Sequence, residues 1–96
     1  MRTLYDRAYD IKNNLSLCYI KLKNYEQAEQ ILNEILTNIN NDRGYAGDAA
    51  AAYYNLGKLS EEKNDLNKAL IYYKQSLSTY PSELRKQKVK EIENKK

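Results

Sequence analysis

Tyr53-Tyr54-Asn55-Leu56-Gly57-Lys58-Leu59-Ser60, then Ala69-Leu70-Ile71-Tyr72-Tyr73, then Pro81, form the most regular part of this 96-residue chain. Ala49, Ala52, Tyr53, Leu56 and Leu59 recur in steps of three and four, which marks one face of a helix from about Tyr45 to Lys63. The run from Ala49 to Ala52 adds high helix propensity. Asn64-Asp65 breaks this helix, and Asp65 suits the N-cap of the next. The next helix carries Leu66, Ala69, Leu70, Tyr73 and Leu77 on its apolar side. It stops at Pro81, which has no amide hydrogen with which to continue. Gly57 and Ala69 are small where two such helices cross closely, and Tyr53 and Tyr73 are large where the gap must be filled.

The same plan is written once more, 41 residues earlier. Asn14-Leu15-Ser16 aligns with Asn55-Leu56-Gly57, Ala28 with Ala69, Leu32 with Tyr73 and Ile35 with Ser76. The turn Lys23-Asn24-Tyr25 aligns with Asn64-Asp65-Leu66. Leu4, Ala8, Ile11, Leu15, Cys18 and Leu22 predict an inward face on a helix from about Thr3 to Leu22, with Cys18 a buried structural thiol. Ala28, Ile31, Leu32, Ile35, Leu36 and Ile39 predict a second helix from about Tyr25 to Ile39. Lys23-Asn24 offers a turn because Asn tolerates the left-handed conformation. Asn40-Asn41-Asp42-Arg43-Gly44 is the strongest loop signal. Beyond Pro81, a mostly charged helix from Ser82 to about Asn94 has only Leu84, Val89 and Ile92 on its apolar side. Short connections favour antiparallel neighbours. The expected fold is therefore all-α and a single domain over residues 1–96. Hairpin one covers about 3–39, hairpin two about 45–80 and a capping helix about 82–94.

The second copy resembles a tetratricopeptide repeat. That family has a large aromatic before Leu-Gly, a further aromatic, an Ala, another aromatic four residues on and a helix-ending Pro. Tyr53, Leu56-Gly57, Ala69, Tyr73 and Pro81 fit, and Ser60 departs from the pattern. The first copy is looser: Lys12, Leu15-Ser16, Tyr19, Ala28 and Leu32, with Asn40 where Pro would stand. The spacing exceeds the usual repeat of about 34 residues and is similar to that of the longer repeats of kinesin light chains and cell-polarity adaptors.

The resemblance implies tandem antiparallel hairpins, an α-solenoid of about two repeats with a cap, that binds protein or peptide partners. It also implies a concave groove lined by the first helix of each hairpin. Those residues are Asp10, Asn13, Asn14, Leu17 and Lys21 from the first copy and Ala51, Tyr54, Asn55, Lys58 and Glu62 from the second. Asn14 and Asn55 hold the same place in both copies, and an amide pairs with both halves of a peptide bond. A clamp for a C-terminal carboxylate is not expected, because Ala51 and Asn55 stand where the family has Lys and Arg. Of the adjacent tyrosines, Tyr54 is expected to meet a partner and Tyr72 to pack on the neighbouring repeat.

Composition narrows function further. No His is present, which removes the usual general base and the commonest metal ligand. A phosphate-binding glycine loop and a paired-Cys metal site are missing too, so neither enzyme activity nor a cofactor is expected. The single Cys excludes an internal disulfide. The N-terminal residues lack the apolar stretch of a signal peptide, and an intracellular, cytoplasmic protein is expected. The net charge is +3, and residues 83–96 carry all of it, with 6 basic and 3 acidic groups. Arg85, Lys86, Lys88 and Lys90 suit a solvated helix face, and neither nucleic acid nor membrane is an expected partner.

Two hairpins and a cap leave the outer side of hairpin one uncovered, near Leu4 and Tyr5, since such repeats bury a continuous core only by stacking. The Met1 start and basic ending have the look of a complete small chain, which favours self-association or membership of a larger assembly over a free monomer. An alternative to groove binding follows: a structural subunit that uses its ends or convex face and holds no peptide.

Overall fold

The computed structural model describes residues 4–95, with side chains from residue 8 onward. Five α-helices follow one another: α1 (Leu4–Lys21), α2 (Tyr25–Ile39), α3 (Ala46–Glu62), α4 (Leu66–Thr79) and α5 (Glu83–Lys95). A 3-10 turn at Arg43–Tyr45 precedes α3, and no strand occurs among the described residues. The helix start expected at Thr3 and the side chains of Leu4 and Tyr5 lie outside what is described. α1 pairs with α2 and α3 with α4. α3 also packs on α1 and α2, while α5 packs on α4. The result is an all-α stack of two hairpins closed by a fifth helix.

The two hairpin turns are built alike. Lys23 is left-handed (φ 63°), and the Asn24 amide donates to the Tyr19 carbonyl at 2.8 Å. Forty-one residues later Asn64 is left-handed (φ 62°), and the Asp65 amide donates to the Ser60 carbonyl at 2.9 Å. This closure satisfies carbonyls that a helix end leaves open. In the first turn the left-handed residue is Lys23 and not an asparagine, because where α1 closes its last turn decides which position must reverse.

Between the hairpins, Asn40 and Asn41 are both left-handed, and the Asp42 carboxylate accepts from the Gly44 amide at 2.9 Å. The Asp65 carboxylate caps α4 by accepting from the Lys68 amide at 3.1 Å. Tyr80 is extended ahead of Pro81 (φ −149°, ψ 92°), as the proline ring requires of its predecessor. The Ser82 hydroxyl then accepts from the Arg85 amide at 3.2 Å and starts α5.

Two buried clusters hold the stack. Ile20, Ala28, Leu32, Ile35 and Ile39 of hairpin one meet Ala49, Ala52, Leu56 and Leu59 of α3. Ala69 and Tyr73 of α4 meet Val89 and Ile92 of α5. The close crossing expected at Gly57 is present: a Cβ there would sit 2.6 Å from Cε1 of Tyr73. Tyr73 is fully buried, while Tyr53 and Tyr72 are partly buried against the first cluster.

α1 overturns the expected inward face. Ile11, Leu15 and Leu22 are 65%, 44% and 75% exposed, and Cys18 is exposed, not a buried thiol. The side turned inward instead carries Tyr9, Asn13, Ser16, Leu17 and Ile20. Its polar members are satisfied internally: the Ser16 hydroxyl donates to the Asn13 carbonyl at 2.6 Å, and the Asn13 amide to the Asp48 carbonyl at 3.5 Å. Buried polar groups that find such partners cost little. The apolar stripe is real, but a stripe marks a packing surface without saying which neighbour fills it.

Candidate functional site

α1, α3 and α5 present neighbouring sides, and a groove runs along them. Leu17, Ile20 and Lys21 of α1 face Lys58, Glu61 and Glu62 of α3 across a cleft of about 290 Å³ that Lys88 of α5 completes. An adjoining cleft is lined by Tyr54 of α3 and by Leu84, Gln87, Lys88 and Glu91 of α5. Lys88 lines both, so the two clefts adjoin there, with apolar side chains (Leu17, Ile20, Tyr54, Leu84) between charges of both signs.

Five of the ten expected groove residues come together here: Leu17, Lys21, Tyr54, Lys58 and Glu62. Asp10 and Ala51 are half-buried outside these clefts, and Asn14 is exposed. Asn55 is 5% exposed, and its Nδ2 donates to Asn13 Oδ1 at 3.0 Å. The expected Asn14–Asn55 amide pair is therefore not presented as a pair. α3 packs back on α1, which spends the Asn55 amide on Asn13, whereas Asn14 occupies the corresponding place on a helix with nothing packed on that side among the described residues.

Tyr54 is only partly free. Its ring packs edge-on to Tyr73 at 5.1 Å between centroids, and the Lys58 ammonium lies over the Tyr54 ring, 5.4 Å from its centroid. Such an aromatic is pre-positioned, so a partner meeting it need not order it. Tyr72, as expected, packs on the hairpin-one side.

Glu61 organises the groove wall. Its carboxylate accepts from the Tyr73 hydroxyl at 2.5 Å and pairs with Lys88 at 3.0 Å and Lys95 at 3.6 Å. Lys88 also pairs with Glu91 at 3.0 Å and lies over the Tyr73 ring. Burial by itself would raise the Glu61 carboxyl, but the Tyr73 hydroxyl and the two ammonium groups outweigh it and hold it below its ordinary 4.5. Burial alone would lower the Lys88 ammonium, and its carboxylate partners outweigh that and raise it. Burial, and then the hydrogen bond to Glu61, push the Tyr73 phenol up, so it stays protonated.

The sequence alone does not point to α5 in the groove, because its charged residues suit a solvated capping helix. The available signal was the spacing Leu84, Lys88, Glu91, which keeps one helix face. Arg85 is also drawn inward: its Nε donates to the Ser76 hydroxyl at 3.0 Å, and Ser76 donates to the Ala50 carbonyl at 2.6 Å. Another cleft, lined by Leu36, Ile39, Ala49, Tyr53 and Thr79, opens on the side of α2 and α4. Among the described residues no group of three or more His, Cys, Asp or Glu is placed to hold a metal ion, and no helix is long and apolar enough to cross a membrane.

Comparison with known proteins agrees with this architecture. A family model described as tetratricopeptide repeat matches residues 7–82. No curated protein matches the sequence. Among solved structures, the N-terminal domain of stress-induced protein-1 from C. elegans is similar, with a TM-score of 0.76 and 25% sequence identity. The likeness covers 88% of this chain and 67% of that one.

Proposed function

The chain belongs to the tetratricopeptide-repeat family, a family of protein-interaction modules, and from that premise we propose that it holds a segment of a partner protein in the groove of α1, α3 and α5. The observation that carries this reading is the pair of clefts that meet at Lys88, in which Leu17, Tyr54 and Leu84 alternate with Lys21, Lys58, Glu62 and Glu91. It suits a segment that sets apolar side chains into the patches and charges of either sign on the rims. Tyr54 and Leu17 anchor it, and Lys21, Lys58 and Glu62 set its direction and register.

A photo-cross-linking residue placed at Lys58 or Leu17 tests the reading in cells. A partner captured there, and not from Gln30 on the outer side of α2, supports groove binding. Capture from Gln30 or from exposed Ile71 of α4, with none from the groove, supports the alternative of a structural subunit that binds by its convex face. Exposed Ile71 is the observation that favours this second reading.

A further inference from the structure

The turn of hairpin one carries an apolar side chain that the fold does not need. Leu22 is 75% exposed, more than any other large apolar side chain among the described residues. In the matching turn, 41 residues later, Lys63 takes its place. The two turns close alike, so the backbone does not demand an apolar residue at this position. Leu22 is also held firmly. Its amide donates to the Cys18 carbonyl and the Lys23 amide to the Ile20 carbonyl, both at 3.0 Å. Lys21 and Lys23 flank it and Glu26 follows; all three are exposed, and none has an ion pair among the described residues.

The opposite end of the stack holds a cleft of matching character. It encloses about 300 Å³ over an apolar floor of Leu36 and Ile39 of α2 and Ala46, Ala49 and Tyr53 of α3. Asp42, Arg43 and Thr79 stand at its rim. α2 and α4 both end at this cleft, and neither has a basic residue in its last turn. Their last carbonyls therefore leave partial negative charge there. The positive end of α3 is answered within the chain by Asp48 of its first turn. Arg43 is the cation of the rim, exposed and without an ion pair among the described residues. We infer that the Leu22 turn of one molecule seats in this cleft of a second copy of the chain. Leu22 enters the apolar floor, Lys21 and Lys23 meet Asp42 and the carbonyl ends of α2 and α4, and Glu26 meets Arg43. Turn and cleft lie at opposite ends of α2, so a chain cannot fill its own cleft. Each contact leaves one turn and one cleft unfilled, and copies add head to tail. Of the residues involved, only Lys21 also lines the α1, α3 and α5 groove.

A contact of this size is weak, so the test is sedimentation velocity of the 96-residue chain from about 10 μM to about 1 mM. The weight-average sedimentation coefficient is expected to rise by about a third or more over that range, with no plateau at the dimer. Leu22→Glu removes the knob and Ala46→Trp fills the cleft, and neither residue lines the groove. Each variant alone is expected to sediment as a monomer throughout. Thr79→Trp fills the cleft from its other side and replaces Ala46→Trp if that variant loses its helical circular-dichroism signal. An equimolar mixture of the Leu22→Glu chain and the cleft-filled chain is expected to pair one to one and to grow no further, because the first supplies only a cleft and the second only a turn. A parent chain that stays monomeric overturns the inference and leaves the cleft to a different ligand. So do a parent chain that stops at a dimer, association that survives Leu22→Glu, and a mixture that fails to pair.

Discussion

Gly57 and Gly47 are both helical glycines of α3, and their surroundings give them opposite roles. A methyl group at Gly57 would meet the Tyr73 ring at 2.6 Å, whereas one at Gly47 would meet nothing within 4 Å. Gly57→Ala is expected to destabilise the chain by about 1–3 kcal/mol, the cost of overpacking. Gly47→Ala is expected to stabilise it by about 0.5–1 kcal/mol through helix propensity. Urea denaturation of the two variants beside the parent chain measures both. Lys23 offers a second check on the backbone. A side chain at φ 63° is strained, so Lys23→Gly is expected to raise stability by about 1 kcal/mol, less what glycine loses in unfolded-state entropy. At this scale the sequence was readable where size decides, as at Gly57 against Tyr73. It was silent where a partner decides: nothing in Asn13 or Asn14 alone tells which of the two amides meets Asn55.

α5 is held by ion pairs as well as by apolar contact. Val89 and Ile92 fill the end of the stack, and Glu61 ties α3 to the Tyr73 hydroxyl of α4 and to Lys88 and Lys95 of α5. The Glu61 carboxyl is depressed in the folded chain, so its contribution is complete above the ordinary carboxyl value of 4.5 and is lost as pH falls through the depressed one. Amide exchange in α5 is expected to accelerate in that acid window, ahead of exchange in α2. Glu61→Gln is expected to abolish most of this pH dependence while leaving the helix content of α2 and α3 unchanged. Lys88→Ala is expected to loosen α5 in the same assay. Lys86→Ala and Lys90→Ala, at exposed positions, are expected to move stability by no more than about 0.5 kcal/mol. The basic charge of this helix is thus divided between groups spent on docking and groups left in water, a division that net charge could not reveal. The elements themselves were legible because turns and apolar periodicity recur at one spacing. The apolar stripe of α1 was legible as a packing surface too, but its direction was not, since Asn13 and Ser16 can be buried only when neighbours 35 or more residues away, or a nearby carbonyl, satisfy them.

Across the whole molecule, α3 belongs to hairpin two and also packs on both helices of hairpin one, and this sets how the chain comes apart. Leu56 lies at the seam where α3 meets hairpin one, and the next residue, Gly57, meets Tyr73. Leu56→Ala is expected to cost about 2–5 kcal/mol and to lower the stability of both hairpins together. Far-ultraviolet ellipticity and the near-ultraviolet tyrosine signal should then report one coincident transition. Two separate transitions would mean that the hairpins unfold independently. The net charge that stands out in the composition has little part in this, because residues 1–82 are balanced at 10 basic and 10 acidic groups. Under the proposed groove binding, recognition rests on shape, on Tyr54 and on local charge pairs. The two hairpin turns, alike in backbone and 41 residues apart, have a further consequence at the level of the gene. An in-frame duplication of one 41-codon block places every seam against a face already shaped for it and leaves the closing helix untouched. Recombination can therefore lengthen such a coding sequence in whole steps, each new step inheriting a working interface instead of having to evolve one.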